Sequence, residues 1–333
     1  MTAPSADPLA VTGLSVRFQT RAGPVAALTE IDLRLPAGEF LVVVGESGSG
    51  KSVLASAILR ALPANTDLAG TISVAGHDLA TLDRAALDRF RRSHLAYIPQ
   101  SPATALNPVR RVGSLLLELA RARGLSPAAA RVTLRQALAE LDLDLDRIAR
   151  RYPHQLSGGM QQRVLNALAM VGDPALVIAD EPTTGLDADL VDVTAAQLRQ
   201  LTGRGAGVLV ITHDLRLAQR LGGRLALLYG GYLVESSPTE EFFAAPAHPY
   251  GDGLLAALPE RGGLPIPGQP VELTAPPPGC PFEPRCELRI PDCAGPVPTP
   301  RPVPDQPDRH VRCYLPAPPM VPATAHRSTD AAR

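Results

Sequence analysis

Short unbroken apolar runs punctuate the chain: Phe40 to Val44, Leu95 to Ile98, Leu176 to Ala179, Val208 to Ile211 and Leu225 to Leu228. Each has the length of a strand and no polar side, which predicts strands buried on both faces. Several run straight into turn residues and then into apolar residues at helical spacing. That order is produced by a mostly parallel sheet with helices on both faces. Between Gly113 and Ala149, Leu and Ala recur at helical spacing without a strand-like run, which predicts an inserted helical subdomain.

Proline changes the picture downstream. Residues 1–245 hold 13 of the 35 prolines and residues 246–333 hold 22, so the second stretch predicts neither long helices nor central strands. From about Pro316 the composition predicts a disordered tail. Charge is balanced, with Lys+Arg 32 against Asp+Glu 33, which argues against a broad electrostatic footprint for nucleic acid. The arginines at Arg89 to Arg92 and Arg147 to Arg151 read as solvated helix faces. No apolar run reaches the roughly 18 to 20 residues of a membrane span, and the opening MTAPSADPLA has no secretory-signal pattern, so the expectation is a cytosolic chain. Of the 32 cations 31 are Arg, and Lys51 is the sole lysine.

Lys51 lies in GESGSGKS, which follows the run FLVVV and opens an Ala/Leu-rich helical stretch to about Leu62. A strand, a glycine-rich loop and a helix in that order make a phosphate cradle. Gly45, Gly48 and Gly50, with Glu46, Ser47 and Ser49 between them, let backbone N–H groups turn inward onto phosphate oxygens, and the helix N-terminus adds partial positive charge. Lys51 reaches the β- and γ-phosphates and the Ser52 hydroxyl ligates Mg²⁺. Far downstream, the run ALVIA ends in Asp180 and Glu181, two carboxylates at the carboxyl end of a buried strand, where ligands of open α/β sheets collect. Asp180 suits Mg²⁺ and Glu181 suits a base that takes a proton from an attacking water.

Between these elements lies LSGGMQQR, Leu156 to Arg163, whose SGG opens a helix and offers a second phosphate-facing terminus. One chain has no second γ-phosphate to give it, which suggests a partner. With Gln100 after LAYIP, TGLD at Thr184 to Asp187 and His213 after VLVIT, the sequence resembles the ATP-binding subunits of ABC transporters over residues 9 to about 245. The resemblance implies an α/β fold: a P-loop NTPase (RecA-like) parallel sheet core with an antiparallel β subdomain, a helical subdomain at approximately 100–165 and a Pro/Cys-rich C-terminal extension. Domains would then run 1–245 for nucleotide binding and 246–315 for the extension, with 316–333 a tail. It implies that Phe18 stacks on adenine, although a core phenylalanine fits as well. It implies that Gln100 senses Mg²⁺ and the attacking water on a loop touching membrane subunits, that His213 bridges to the γ-phosphate and positions Glu181, and that Asp187 communicates across a dimer. Ser157, Gly158 and Gly159, with Gln161 of the same motif, would complete the ATP site of a second copy. Taken by itself, the HD of ITHDL also fits a helix cap at Asp214.

Cys280, Cys286, Cys293 and Cys313 fall in the proline-rich stretch. Their spacing lacks the two- to four-residue spacer usual for structural zinc, and four thiolates can equally hold an iron–sulfur cluster; zinc and reduced or disulfide-paired thiols stay open. Upstream, AAPAHPYGDGLLAALP, Ala244 to Pro259, resembles the C-terminal extension of the oligopeptide and dipeptide importers, where a four-cysteine motif binds a [4Fe–4S] cluster in some members. The resemblance implies an ATPase driving uptake of di- or oligopeptides, or of nickel or another small solute, with ATP and Mg²⁺. It implies two membrane permeases, a second ATP-binding subunit, an extracytoplasmic solute-binding protein and a peripheral place on the cytoplasmic face of the membrane. Two rivals are a soluble ATPase of the same superfamily acting on nucleic acid or ribosomes, and a metal-binding adaptor with a decayed ATPase. Only about 105 residues separate Lys51 from Ser157, too few for the long insertion the first generally carries, and every expected catalytic residue is present, against the second.

Overall fold

A computed structural model of the chain describes residues 6–21, 23–183 and 188–316. The chain opens with two long strands, β1 (Leu9–Thr20) and β2 (Gly23–Leu35), followed by β3 (Phe40–Val44), the helix α1 (Lys51–Ile58), β4 (Thr66–Val74) and the short β5 (His77–Asp78). After α2 (Arg84–His94) and β6 (Leu95–Ile98) comes a helical stretch of α3 (Pro102–Ala105), α4 (Val112–Ala122), α5 (Pro127–Ala139), α6 (Leu145–Ile148) and α7 (Gly158–Met170). Then β7 (Leu176–Asp180), α8 (Ala188–Gly203), β8 (Gly207–Thr212), α9 (Leu215–Leu221) and β9 (Arg224–Tyr229) alternate. The last elements are β10 (Tyr232–Pro238), α10 (Thr239–Ala244), α11 (Pro249–Ala256), β11 (Arg301–Val303) and β12 (Gln306–Val311).

Two sheets result. One is antiparallel in the order β2-β1-β4-β5, and the other has the order β11-β12-β10-β9-β3-β8-β7-β6, parallel from β9 to β6. Every residue of β3, β7 and β8 is buried, as unbroken apolar runs require when both faces are covered. Successive residues nevertheless serve different cores. Leu41, Val43, Ile178, Leu209 and Ile211 join the core under the antiparallel sheet and α1, whereas Val42, Val44, Val177, Ala179 and Val210 join the core under the helical stretch. This is the period-two alternation of a strand feeding two layers.

The proline-rich stretch is stitched onto the same sheet. Strand β12 pairs antiparallel with β10, and β11 forms the sheet edge, the position where Pro302 costs no ladder hydrogen bond to a further strand. Cys280, Phe282, Cys286 and Cys293 join the core that runs under the helical stretch, so the extension and the parallel sheet share one apolar interior. The helical stretch is held to the sheet by Arg123, just past α4, whose guanidinium donates to the carbonyls of Val171 and, at 3.1 Å, Leu95.

Candidate active site

Register brings the site together. In the parallel ladder Val44 pairs with Thr212 and Ile211 with Asp180, so β3, β8 and β7 end level with one another. Gly45, His213 and Glu181 therefore leave three adjacent strands at the same edge.

The loop after β3 uses glycine where nothing else fits. A Cβ on Gly45 would lie 2.2 Å from the Leu228 carbonyl oxygen, and Gly50, at φ +108°, would place one 2.6 Å from the Ala27 oxygen. Gly50 is the N-cap of α1 and has no side chain with which to satisfy the first N–H groups, which stay available for an anion. Lys51 is buried, and its Nζ donates to the Gly45 and Glu46 carbonyls at 2.6 and 2.9 Å. Burial pushes its ammonium below the usual lysine range, against the opposing pull of Glu181, Asp180 and Glu46. Ser52, in the first turn of α1, is exposed.

Opposite, Asp180 is buried, and burial raises its carboxyl despite the Tyr97 hydroxyl donating to Oδ2 at 3.2 Å. Among the described residues its buried Oδ1 has no hydrogen-bond partner, nor does Ser49 Oγ. An orphaned carboxylate oxygen facing a lysine and a hydroxyl-bearing loop suits a hard cation such as Mg²⁺. Tyr97 was legible only as part of an apolar strand; it is the one exposed position of β6. Burial and the neighbouring Asp180 charge push its phenol up to about 12, so it remains a donor.

Glu181 stands at φ +48°, a left-handed conformation that non-glycine residues seldom adopt, and its N–H donates to Ile211 O at 2.7 Å. Three groups of the β8 end converge on its Oε2: His213 Nδ1 at 2.8 Å, the His213 N–H at 3.3 Å and Thr212 Oγ1 at 3.4 Å. The end of ITHDL divides its roles between two residues. Asp214 caps α9, accepting from Arg216 and Leu217 N–H and from the Thr183 hydroxyl, while His213 is left to Glu181.

The SGG segment lies where its sequence places it, at the start of α7. Ser157 caps the helix by accepting from the Met160 N–H, and a Cβ on Gly158 or Gly159 would meet nothing within 4 Å. Packing among the described residues does not demand these glycines. Gln161 departs from the expected nucleotide-facing role. It is buried, and its amide donates to the Pro153 and Leu156 carbonyls, bracing the loop before the helix, because helical periodicity turns the fourth residue of α7 inward. Gln100 is exposed in the bend after β6, and Phe18 is half-buried on β1 against the core beneath the antiparallel sheet. Asp187 and the tail from 317 lie outside the described residues.

The four cysteines do not sustain the metal-cluster expectation. The other three thiols all act on Cys280, whose thiol is pushed up to about 12, chiefly by burial. Yet among the described residues no group of three or more His, Cys, Asp or Glu side chains is arranged to hold a metal ion. Cys280, Cys286 and Cys293 belong to the main core, and Cys313 packs with Ala247, Val303 and Val311 in a neighbouring small cluster. The zinc alternative meets the same obstacle.

Comparison with known proteins agrees with this geometry. The ABC transporter family pattern matches residues 28–184, and the pattern of the oligopeptide/dipeptide transporter C-terminal region matches residues 234–293. The chain is 40% identical over 301 residues to the oligopeptide transport ATP-binding protein OppD of Mycobacterium tuberculosis, across 86% of this chain and 48% of that protein; it thus spans about half that relative's length. It is 37% identical over 311 residues to a putative peptide import ATP-binding protein of Brucella ovis, across 87% of this chain and 92% of that one. Among solved structures, the ATP-binding cassette MJ0796, a dimer in a post-hydrolysis state bound to ADP and Pi, superposes with TM-score 0.61 at 26% identity, covering 69% of this chain and 98% of the other.

Proposed function

This chain belongs to the ABC transporter family, and we propose that it is the ATP-hydrolysing subunit of an importer that takes up di- and oligopeptides across the cytoplasmic membrane. The observation that carries the reading is the convergence of Lys51, Asp180, Glu181 and His213 at the level ends of β3, β7 and β8. The peptide cargo is supported by the match of residues 234–293 and by the names of the relatives.

ATP seats its phosphates on the uncapped start of α1, with Lys51 exchanging its backbone carbonyl contacts for phosphate oxygens. Asp180 Oδ1 and the Ser52 hydroxyl are the groups that fit Mg²⁺ arriving with the nucleotide, and the ion, when bound, neutralises charge on the phosphoryl oxygens. Glu181 takes a proton from the attacking water on Oε1, because Oε2 is already engaged by His213 and Thr212. His213 holds that carboxylate aimed. Ser157, Gly158 and Gly159 of a second ATP-binding subunit then cap the nucleotide, consistent with glycines that packing among the described residues does not require. The closed dimer pulls on two permease subunits, and hydrolysis releases it. The exposed bend at Gln100 and the 79% exposed Val109 downstream of it support a docking surface there. In this reading the subunit sits peripherally on the cytoplasmic face of the membrane, and a solute-binding protein delivers cargo outside. No step of this reading runs through an iron–sulfur cluster.

Reconstitution with its permeases in vesicles tests the reading. ATP-dependent accumulation of di- or oligopeptides is expected, whereas a purified chain that neither binds nor hydrolyses Mg-ATP overturns it.

A further inference from the structure

Glu46 is an awkward residue to find in a phosphate loop, since a carboxylate beside a triphosphate repels it. The structure gives it a partner 239 residues away. Arg285, in the cysteine-bearing extension, grips it with both arms, Nη1 at 2.6 Å from Oε2 and Nη2 at 3.2 Å from Oε1. The remaining guanidinium hydrogens go to Pro267 O from Nε, to the Tyr229 hydroxyl from Nη1 and to Ile266 O from Nη2. All five donors of the planar fork are thereby engaged. Its side chain is only 4% exposed and lies against the Tyr229 and Phe282 rings.

The main chain of Glu46 is fixed as well. Its N–H donates to the Tyr250 hydroxyl of α11 at 2.8 Å, and its carbonyl accepts from Lys51 Nζ. Tyr229, Tyr250 and Phe282 pack on one another with centroids 4.5 to 5.3 Å apart, joining β9, α11 and the extension into one block behind the loop. Residues 280 to 293 are tied into that block by Cys280 N to Cys293 O and Arg285 N to Phe282 O.

We propose that Arg285 is a positioning residue for nucleotide binding: it neutralises Glu46 and holds the phosphate loop open for the triphosphate, so the extension sets the affinity for ATP. The proposal rests on the ATPase reading. A bidentate, charge-assisted pair of low exposure is strong and geometrically exacting. Without it, Glu46 presents an uncompensated carboxylate to the phosphates and the loop loses its anchor. The effect falls on binding, since Arg285 reaches the loop only through Glu46 and touches neither Asp180 nor Glu181.

The test uses the full chain and Mg-ATP itself, with affinity by calorimetry and KM and kcat from steady-state hydrolysis. Arg285→Ala is expected to weaken Mg-ATP binding and raise KM about tenfold, with kcat within about twofold of the parent. The double variant Glu46→Gln/Arg285→Ala is expected to recover most of the loss, because the repelling charge is gone. An anchor that served folding alone predicts the opposite, a double variant at least as impaired as Arg285→Ala. Unchanged affinity in Arg285→Ala, or no recovery in the double variant, overturns the proposal. Should Arg285→Ala fail to fold, Arg285→Gln, which keeps length and a donor, must show the same loss and the same rescue by Glu46→Gln. A parent chain that binds no Mg-ATP at all would instead sink the ATPase reading.

Discussion

His213 Nδ1 lies 2.8 Å from Glu181 Oε2, although the two residues leave different strands and stand 32 positions apart. The contact depends on β7 and β8 ending level and on the left-handed turn at Glu181. If that carboxylate is the base, Glu181→Gln lowers ATP turnover by about 10²- to 10⁴-fold, the usual worth of a positioned base. The amide keeps the shape and the phosphate cradle is untouched, so ATP-dependent dimers persist. Turnover and sizing of the dimer in Mg-ATP check both halves, and near-parental turnover rejects the assignment.

Tyr97 holds one oxygen of Asp180 and leaves the other free. Tyr97→Phe removes that donor without changing the strand, so Asp180 loses the group that fixes its rotamer. The Mg²⁺ concentration giving half-maximal hydrolysis is expected to rise about three- to tenfold, the equivalent of about 0.6 to 1.4 kcal/mol, the net worth of one ordinary hydrogen bond, with Glu181-dependent chemistry intact at saturating Mg²⁺. Titration of hydrolysis against Mg²⁺ decides it, and an unchanged midpoint means the hydroxyl is idle.

The parallel strands and phosphate loop were readable because their signals are local: an unbroken apolar run predicts double burial, and glycines at fixed offsets predict the loop. What was not readable is set by contacts distant in sequence. Nothing near Glu46 announces Arg285, and nothing in LSGGMQQR names the Pro153 carbonyl as a partner of Gln161. The antiparallel sheet was implied only by likeness, since β1 and β2 mix buried and exposed positions across several register shifts. Proline content hid β12, which joins the main sheet through a pairing of Glu235 with Val311 and Ser236 with His310. For the cysteines, spacing along the chain did not say that each would be buried, three of them in the main core.

His248 supplies an acid-sensitive element. It is 1% exposed, caps α11 by accepting the Tyr250 N–H on Nδ1, and has a buried Nε2 without a partner, so burial drives its pKa down to about 3. A depressed folded-state value means the histidine's contribution is complete above its unfolded value of roughly 6.5 and drains away as pH falls toward 3. The loss runs at about 1.4 kcal/mol per pH unit. His248→Asn keeps a good capping side chain and cannot titrate. Its urea midpoint should therefore fall less between pH 7 and pH 4.5 than the parent's, and equal falls would show that His248 does not govern the acid limb.

Glu235 and Arg309 tie β10 to the final hairpin, with Arg309 Nη2 2.7 Å from Oε1 and the Ala247 and His248 N–H groups each 2.8 Å from Oε2. Both side chains are at most 5% exposed, and burial raises the glutamate despite the arginine and the two N–H donors. Removing the arginine leaves a buried carboxylate with neutral donors only, so Arg309→Ala is expected to cost about 3 to 5 kcal/mol. Its pH dependence follows from the sign of the shift. A carboxyl raised further in the folded state is tolerated below its unfolded value and penalised as pH climbs through its folded one, so the deficit of Arg309→Ala shrinks between pH 7 and pH 5. Urea unfolding at both pH values measures this, and a deficit unchanged by pH would mean that Arg309 stabilises the hairpin through its Ala245 carbonyl contact rather than through Glu235.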